Sequence, residues 1–87
     1  MGQWEEETVR DLEVKVWAIK LKYLKISVHR HIDFEKDEWL CSCYQLQVIN
    51  KLLKSKNIIS AKNEAINYLT KITHRYYKDL MSYKTED

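Results

Sequence analysis

After Gly2 the chain contains no further glycine, and it contains no proline at all. Proline interrupts helix interiors, and glycine supplies the left-handed backbone that most tight turns need. A chain without either has poor material for β-hairpins, glycine-rich phosphate loops or nucleophile elbows. It also has nothing to interrupt a long helix. That constraint predicts an all-α fold.

The 87 residues suffice for one domain with a modest core, so 1–87 reads as a single helical domain. Hydrophobic residues make up 45% of the chain, including three Trp, six Tyr and one Phe, which suits a folded protein rather than a disordered one. No apolar run approaches the roughly eighteen residues of a membrane span. The start, Met1-Gly2-Gln3-Trp4-Glu5-Glu6-Glu7, is acidic and does not read as a secretory leader. Glu6 stands where a myristoylation signal wants Ser or Thr. Cys41 and Cys43 are too close to staple a fold, which points to a reducing, cytoplasmic setting.

Apolar spacing places helices at roughly 4–28, 35–54 and 61–83, joined by short links that favour antiparallel neighbours. The third is clearest. Ser60 stands at its N-cap, and Ala61, Ala65, Leu69, Ile72, Tyr76, Leu80 and Tyr83 recur every three or four residues. In the second, Trp39, Cys43, Leu46 and Leu53 mark one side and Leu40, Tyr44, Val48 and Leu52 another, as in a buried central helix. Acidic Glu5–Glu7 and Asp33–Glu38 fall at predicted helix starts, with Lys22, Lys25, Lys51 and Lys54 at predicted ends, as the helix macrodipole favours. The predicted architecture is an up-down-up three-helix bundle.

The first segment carries one apolar stripe too many. Val9, Leu12, Val16, Ile19, Tyr23 and Ile26 form one; Val14, Trp17, Leu21, Leu24 and Val28 form a second, about 150° away. A peripheral helix buries a single face, so the second stripe needs a partner, either another protein or a second copy of this chain. The competing reading is that helix one is central and its neighbours cover both stripes. A strand reading also exists, because 12–16, 19–23 and 24–28 each alternate polar and apolar residues. The alternation changes phase without Gly, Asn or Asp to form a turn, and one helical period accounts for the whole stretch.

Signs of catalysis are weak. No HExxH, phosphate-loop or GxSxG pattern is present, and the carboxylate pair Glu35 and Glu38 is explained by a first helical turn, so no catalytic residue and no cofactor is expected. His29, His31, Cys41 and Cys43 lack the spacing of a zinc site, and two residues apart on a helix point nearly opposite ways; no metal is expected. A second binding pattern lies on helix three. Lys71, His74, Arg75 and Lys78 share its polar side with Tyr77, and Lys51, Lys54, Lys56 and Lys62 lie nearby, a mixture suited to phosphates and bases. Glu64 and Asp79 interrupt it, and the formal net charge of +2 is modest. Asn and Thr across that polar face argue against membrane binding.

The sequence therefore predicts a small helical protein–protein interaction module, a regulator, inhibitor or scaffold, that binds another protein or a second copy of itself, as a homo-oligomer, through Val14, Trp17, Leu21, Leu24 and Val28. The alternative is a nucleic-acid-binding protein using Lys71, His74, Arg75, Tyr77 and Lys78 with the 51–62 segment.

Overall fold

Lys15–Lys20 and Lys25–Arg30 are rich in β-branched and aromatic residues, and in the computed structural model of the protein they form neighbouring strands. The structure describes residues 3–7, 15–30 and 38–84. The elements are β1 (Glu5–Glu6), β2 (Lys15–Lys20), β3 (Lys25–Arg30), β4 (Leu40–Cys43), β5 (Val48–Leu52) and α1 (Ile58–Ser82), with a 3-10 turn at Tyr44–Leu46. The strands form one antiparallel meander in the order β1-β2-β3-β4-β5, and α1 packs on one face of it. The predicted three-helix bundle is wrong: the described residues of 4–28 and 35–54 form strands and their connections instead of α-helices, and the third predicted helix is found as α1.

The missing glycines explain the error. Lys20 pairs with Lys25, so β2 and β3 are joined by the four residues Leu21–Leu24, closed by Leu21 N–H donating to Leu24 O at 2.7 Å. Four-residue hairpin loops are most often built on a type I turn, which needs no left-handed residue. The β4–β5 connection does take that conformation, at Gln47 (φ 59°), and the bulge within β5 takes it at Asn50 (φ 52°). Asn tolerates the left-handed region better than most residues, and Gln47 closes the 3-10 turn through its N–H to Tyr44 O.

Register assigns the two faces of the sheet. Trp17 pairs with Val28 and Ile19 with Ile26, and Val28 pairs in turn with Cys41, so all these side chains face α1. They join Cys43, Val48, Leu53, Ala61, Ala65 and Leu69 in the core. Ala61 and Ala65 allow the helix backbone to approach the sheet closely, and Leu69 fills the next turn. Cys41 and Cys43 are on a strand, not a helix, and both point into this core. Burial, then the neighbouring Cys43, then Glu64, push the Cys41 thiol up to about 12.

The charge blocks also find other uses. Glu7 pairs with Lys25 across the sheet at 3.1 Å rather than opening a helix. Asn57, not Ser60, caps α1, its side-chain oxygen accepting from Ile59 N–H at 2.8 Å and Ser60 N–H at 3.3 Å.

Candidate functional site

The predicted interface of Val14, Trp17, Leu21, Leu24 and Val28 presupposes helix one, and its described members do not form an exposed face. Trp17 and Val28 are cross-strand partners in the core, and Leu24 packs against the same core. Lys62 of α1 holds its ammonium 3.9 Å from the Trp17 ring and 5.6 Å from that of Trp4, so an element of the chain itself covers the presumed anchor. Leu21 alone is exposed, at the β2–β3 turn. Val14 lies outside the described residues, as do His31, Asp33 and Glu35.

An exposed apolar surface occurs elsewhere, on α1. At about 1.5 Å per residue its 25 residues extend roughly 37 Å, and the molecule measures 57 × 25 × 19 Å. The stripe that buries Ala61, Ala65 and Leu69 continues through half-buried Ile72 to Tyr76, Leu80 and Tyr83. There the sheet no longer covers it: Tyr76 is 52% exposed, Leu80 75% and Tyr83 82%, with Tyr77 beside them at 58%. From His74 to Lys84 every residue is exposed. Helices in proteins owe most of their stability to packing of an apolar face, and a stretch as short as 74–82 is marginal without it. The outer half of α1 thus carries a core-type face without a core.

A second feature lies between α1 and the β5 edge, an open cleft of about 610 Å³. Lys51, Leu52 and Lys54 form one wall; Ser60, Asn63, Glu64, Asn67, Tyr68 and Lys71 form the other. Lys51 reaches the helix side because it pairs with Cys41, and its ammonium sits 5.1 Å from the centre of the Tyr68 ring. Glu64 is committed to the β5–α1 loop. It accepts from Lys54 N–H at 2.9 and 3.1 Å, from Ser55 N–H at 2.8 Å and from the Ser55 hydroxyl at 2.7 Å. Partial burial pushes its carboxyl up, but these hydrogen bonds and the Lys54 charge outweigh it and hold the group below its ordinary value. The structure thus joins Lys71 to Lys51 and Lys54, which are distant in sequence. Arg75 and Lys78 extend the same side of α1 beyond the cleft, while His74 and Tyr77 stack on each other at 6.3 Å just around the helix.

A third feature lay outside the sequence reading. On the sheet face away from α1, His29 Nε2 and Ser42 Oγ are 2.9 Å apart, and both residues are buried. A bulge lets Ile49 and Asn50 stand opposite Ser42, and Asn50 N–H donates to Ser42 Oγ at 3.0 Å. Ser42 therefore ties a strand partner to the left-handed Asn50. A serine next to a histidine also has the geometry of a nucleophile and its base. Here the hydroxyl already serves the bulge, which makes the pair a register lock. The signal for it in sequence was slight, a His between Val28 and Arg30 and a Ser between two Cys.

Among the described residues, no group of three or more His, Cys, Asp or Glu is placed to hold a metal ion, and no helix is long and apolar enough to cross a membrane. Comparison of the chain with family models, with curated proteins and with solved structures finds no match.

Proposed function

We propose that the protein is a small cytoplasmic interaction module, a regulator or scaffold rather than an enzyme, that works as a two-fold homodimer joined through the outer half of α1. The observation that carries this reading is the continuation of the core stripe into solvent at Tyr76, Leu80 and Tyr83. Two free, buried cysteines fit a reducing compartment.

Charge favours a second copy over an unrelated partner. Arg75 and Asp79 are four residues apart on the same flank of the stripe. In an antiparallel pair related by a two-fold axis, like flanks face each other, so each Arg75 meets the partner's Asp79. Taking about 200 Å² for a large side chain, the exposed parts of Tyr76, Tyr77, Leu80 and Tyr83 amount to roughly 500 Å² per copy. About 1,000 Å² for the pair is at the threshold of a specific interface, which implies a concentration-dependent dimer.

Light-scattering mass across a dilution series tests this. A mass approaching twice the 10.6 kDa of the chain at high concentration supports the reading, and a monomer at every concentration refutes it.

A further inference from the structure

We infer that the cleft between β5 and α1 binds single-stranded nucleic acid, gripping the phosphates with Lys51, Lys54 and Lys71 and offering Tyr68 to a base. This site is independent of the proposed dimer contact, which lies on another side of α1.

Three observations converge on it. First, the fold gathers three ammonium groups from separate parts of the chain around one open cavity. The one carboxylate there, Glu64, is taken up by the loop that carries Lys54 and fixes that loop against the helix. Second, the walls supply more than charge. Asn63 and Asn67 bring amide donors and acceptors, and Tyr68 brings an aromatic ring whose face Lys51 covers in the free protein and would uncover on swinging to a phosphate. Third, the positive side runs on. Lys71 and Lys78 stand two turns apart on that side of α1, about 10.5 Å along its axis, a track for phosphates that leaves Arg75 to the dimer contact.

The combination selects one class of ligand. An acidic peptide would satisfy the lysines but has no aromatic plane to set on Tyr68. A duplex keeps its bases paired and stacked, so their faces are not available to the ring. A single strand offers both phosphates and free base faces, the pairing that non-specific single-strand sites exploit. A cavity of about 610 Å³ is within the usual size of ligand sites, room for roughly one or two nucleotide units.

The test is fluorescence anisotropy of the intact protein with a labelled 12-nucleotide oligouridine, an abasic strand of the same length and a 12-base-pair duplex. Three or four neutralised phosphates predict that affinity for oligouridine falls roughly 20- to 50-fold between 50 and 200 mM salt. Replacing Lys51→Gln, Lys54→Gln and Lys71→Gln together should weaken binding at least about tenfold and flatten the salt dependence, with an unchanged circular dichroism spectrum. A control with Lys20→Gln and Lys22→Gln, at the far turn, should bind like the parent. The abasic strand should bind at least about fivefold more weakly, because it has no base to stack. The inference is overturned by absent binding at 50 mM salt, by undiminished binding in the triple variant, by equal loss in the control, or by an abasic strand or duplex binding as tightly as oligouridine.

Discussion

Leu80→Glu separates an interface from a core more sharply than any other single change. The side chain is 75% exposed in the isolated chain, so the substitution should leave monomer stability within about 0.5 kcal/mol. In the proposed dimer it has a different effect. Fully burying a leucine side chain contributes about 1.5–3 kcal/mol, of which the exposed three quarters leaves roughly 1–2 kcal/mol for association. Two-fold symmetry counts this twice, so the loss is about 2–4 kcal/mol, or roughly a 30- to 700-fold weaker dimer. Two glutamates near the axis add repulsion in the same direction. Sedimentation velocity over a concentration series reads the dissociation constant, and thermal melting of the dilute protein reads the fold. Leu21→Glu, at the β2–β3 turn, is the matched control and should alter neither. If Leu80→Glu dimerises like the parent, or unfolds the dilute monomer, the reasoning from the uncovered stripe is wrong.

Two further changes probe the sheet and the loop, and a third measurement probes the core. Ser42→Ala removes the hydroxyl that serves both His29 and Asn50 N–H and should cost about 1–3 kcal/mol in urea unfolding. Glu64→Gln tests linkage. The folded carboxyl is held below the unfolded value of about 4.5, so its stabilisation is present above that pH and disappears as pH falls through the folded value. The parent should therefore lose urea resistance below about pH 4.5, while the variant starts lower at pH 7 and changes less with acid. Cys41, with its thiol pushed up to about 12, should resist alkylation at pH 8 in the folded protein and react readily in denaturant, as peptide mass mapping will report.

The helix was legible in the sequence and the sheet was not, for reasons visible at single residues. From Ala61 to Tyr83 the three-four spacing is sustained long enough that no other period fits, even though half of that stripe has no core to face. Strands announce themselves by alternation, which survives only when one face is wet. Alternation does survive over 19–23 and 24–28, where the want of a turn residue spoke against strands, but β4 is buried at all four positions from Leu40 to Cys43. A strand buried on both faces reads as a continuous apolar run, which is how 39–50 came to resemble a central helix. The turns were hidden as well, because Leu21–Leu24 needs no positive φ and Gln47 and Asn50 take the place of glycine. Lys71 was legible as part of a basic helix side, but its meeting with Lys51 depends on strand register, which no local pattern encodes.

The absence of proline misdirects attention at the N-terminal half and matters physically at the C-terminal one. A helix that ended at Leu69 would satisfy the sheet, since the last buried residue is there. Nothing in 70–82 stops it, and the added turns carry two surfaces at once. Apolar Ile72, Tyr76, Leu80 and Tyr83 continue the line of Ala61 and Ala65, whereas Lys71 and Lys78 stand about 140–160° around the axis. Angular separation of that size lets one helix pair with a copy of itself without covering its lysines. Antiparallel pairing about Tyr77, midway between Arg75 and Asp79, would also carry the two clefts to opposite ends of the dimer. Each cleft centres near Tyr68, nine residues or about 13.5 Å along the axis from Tyr77, so the pair would stand roughly 27 Å apart in that direction. A single strand long enough to reach both would be held twice, gaining affinity through effective concentration rather than through any new contact. In the proposed dimer, extending one helix beyond its own core would therefore suffice to turn a modest basic cleft into a bivalent one.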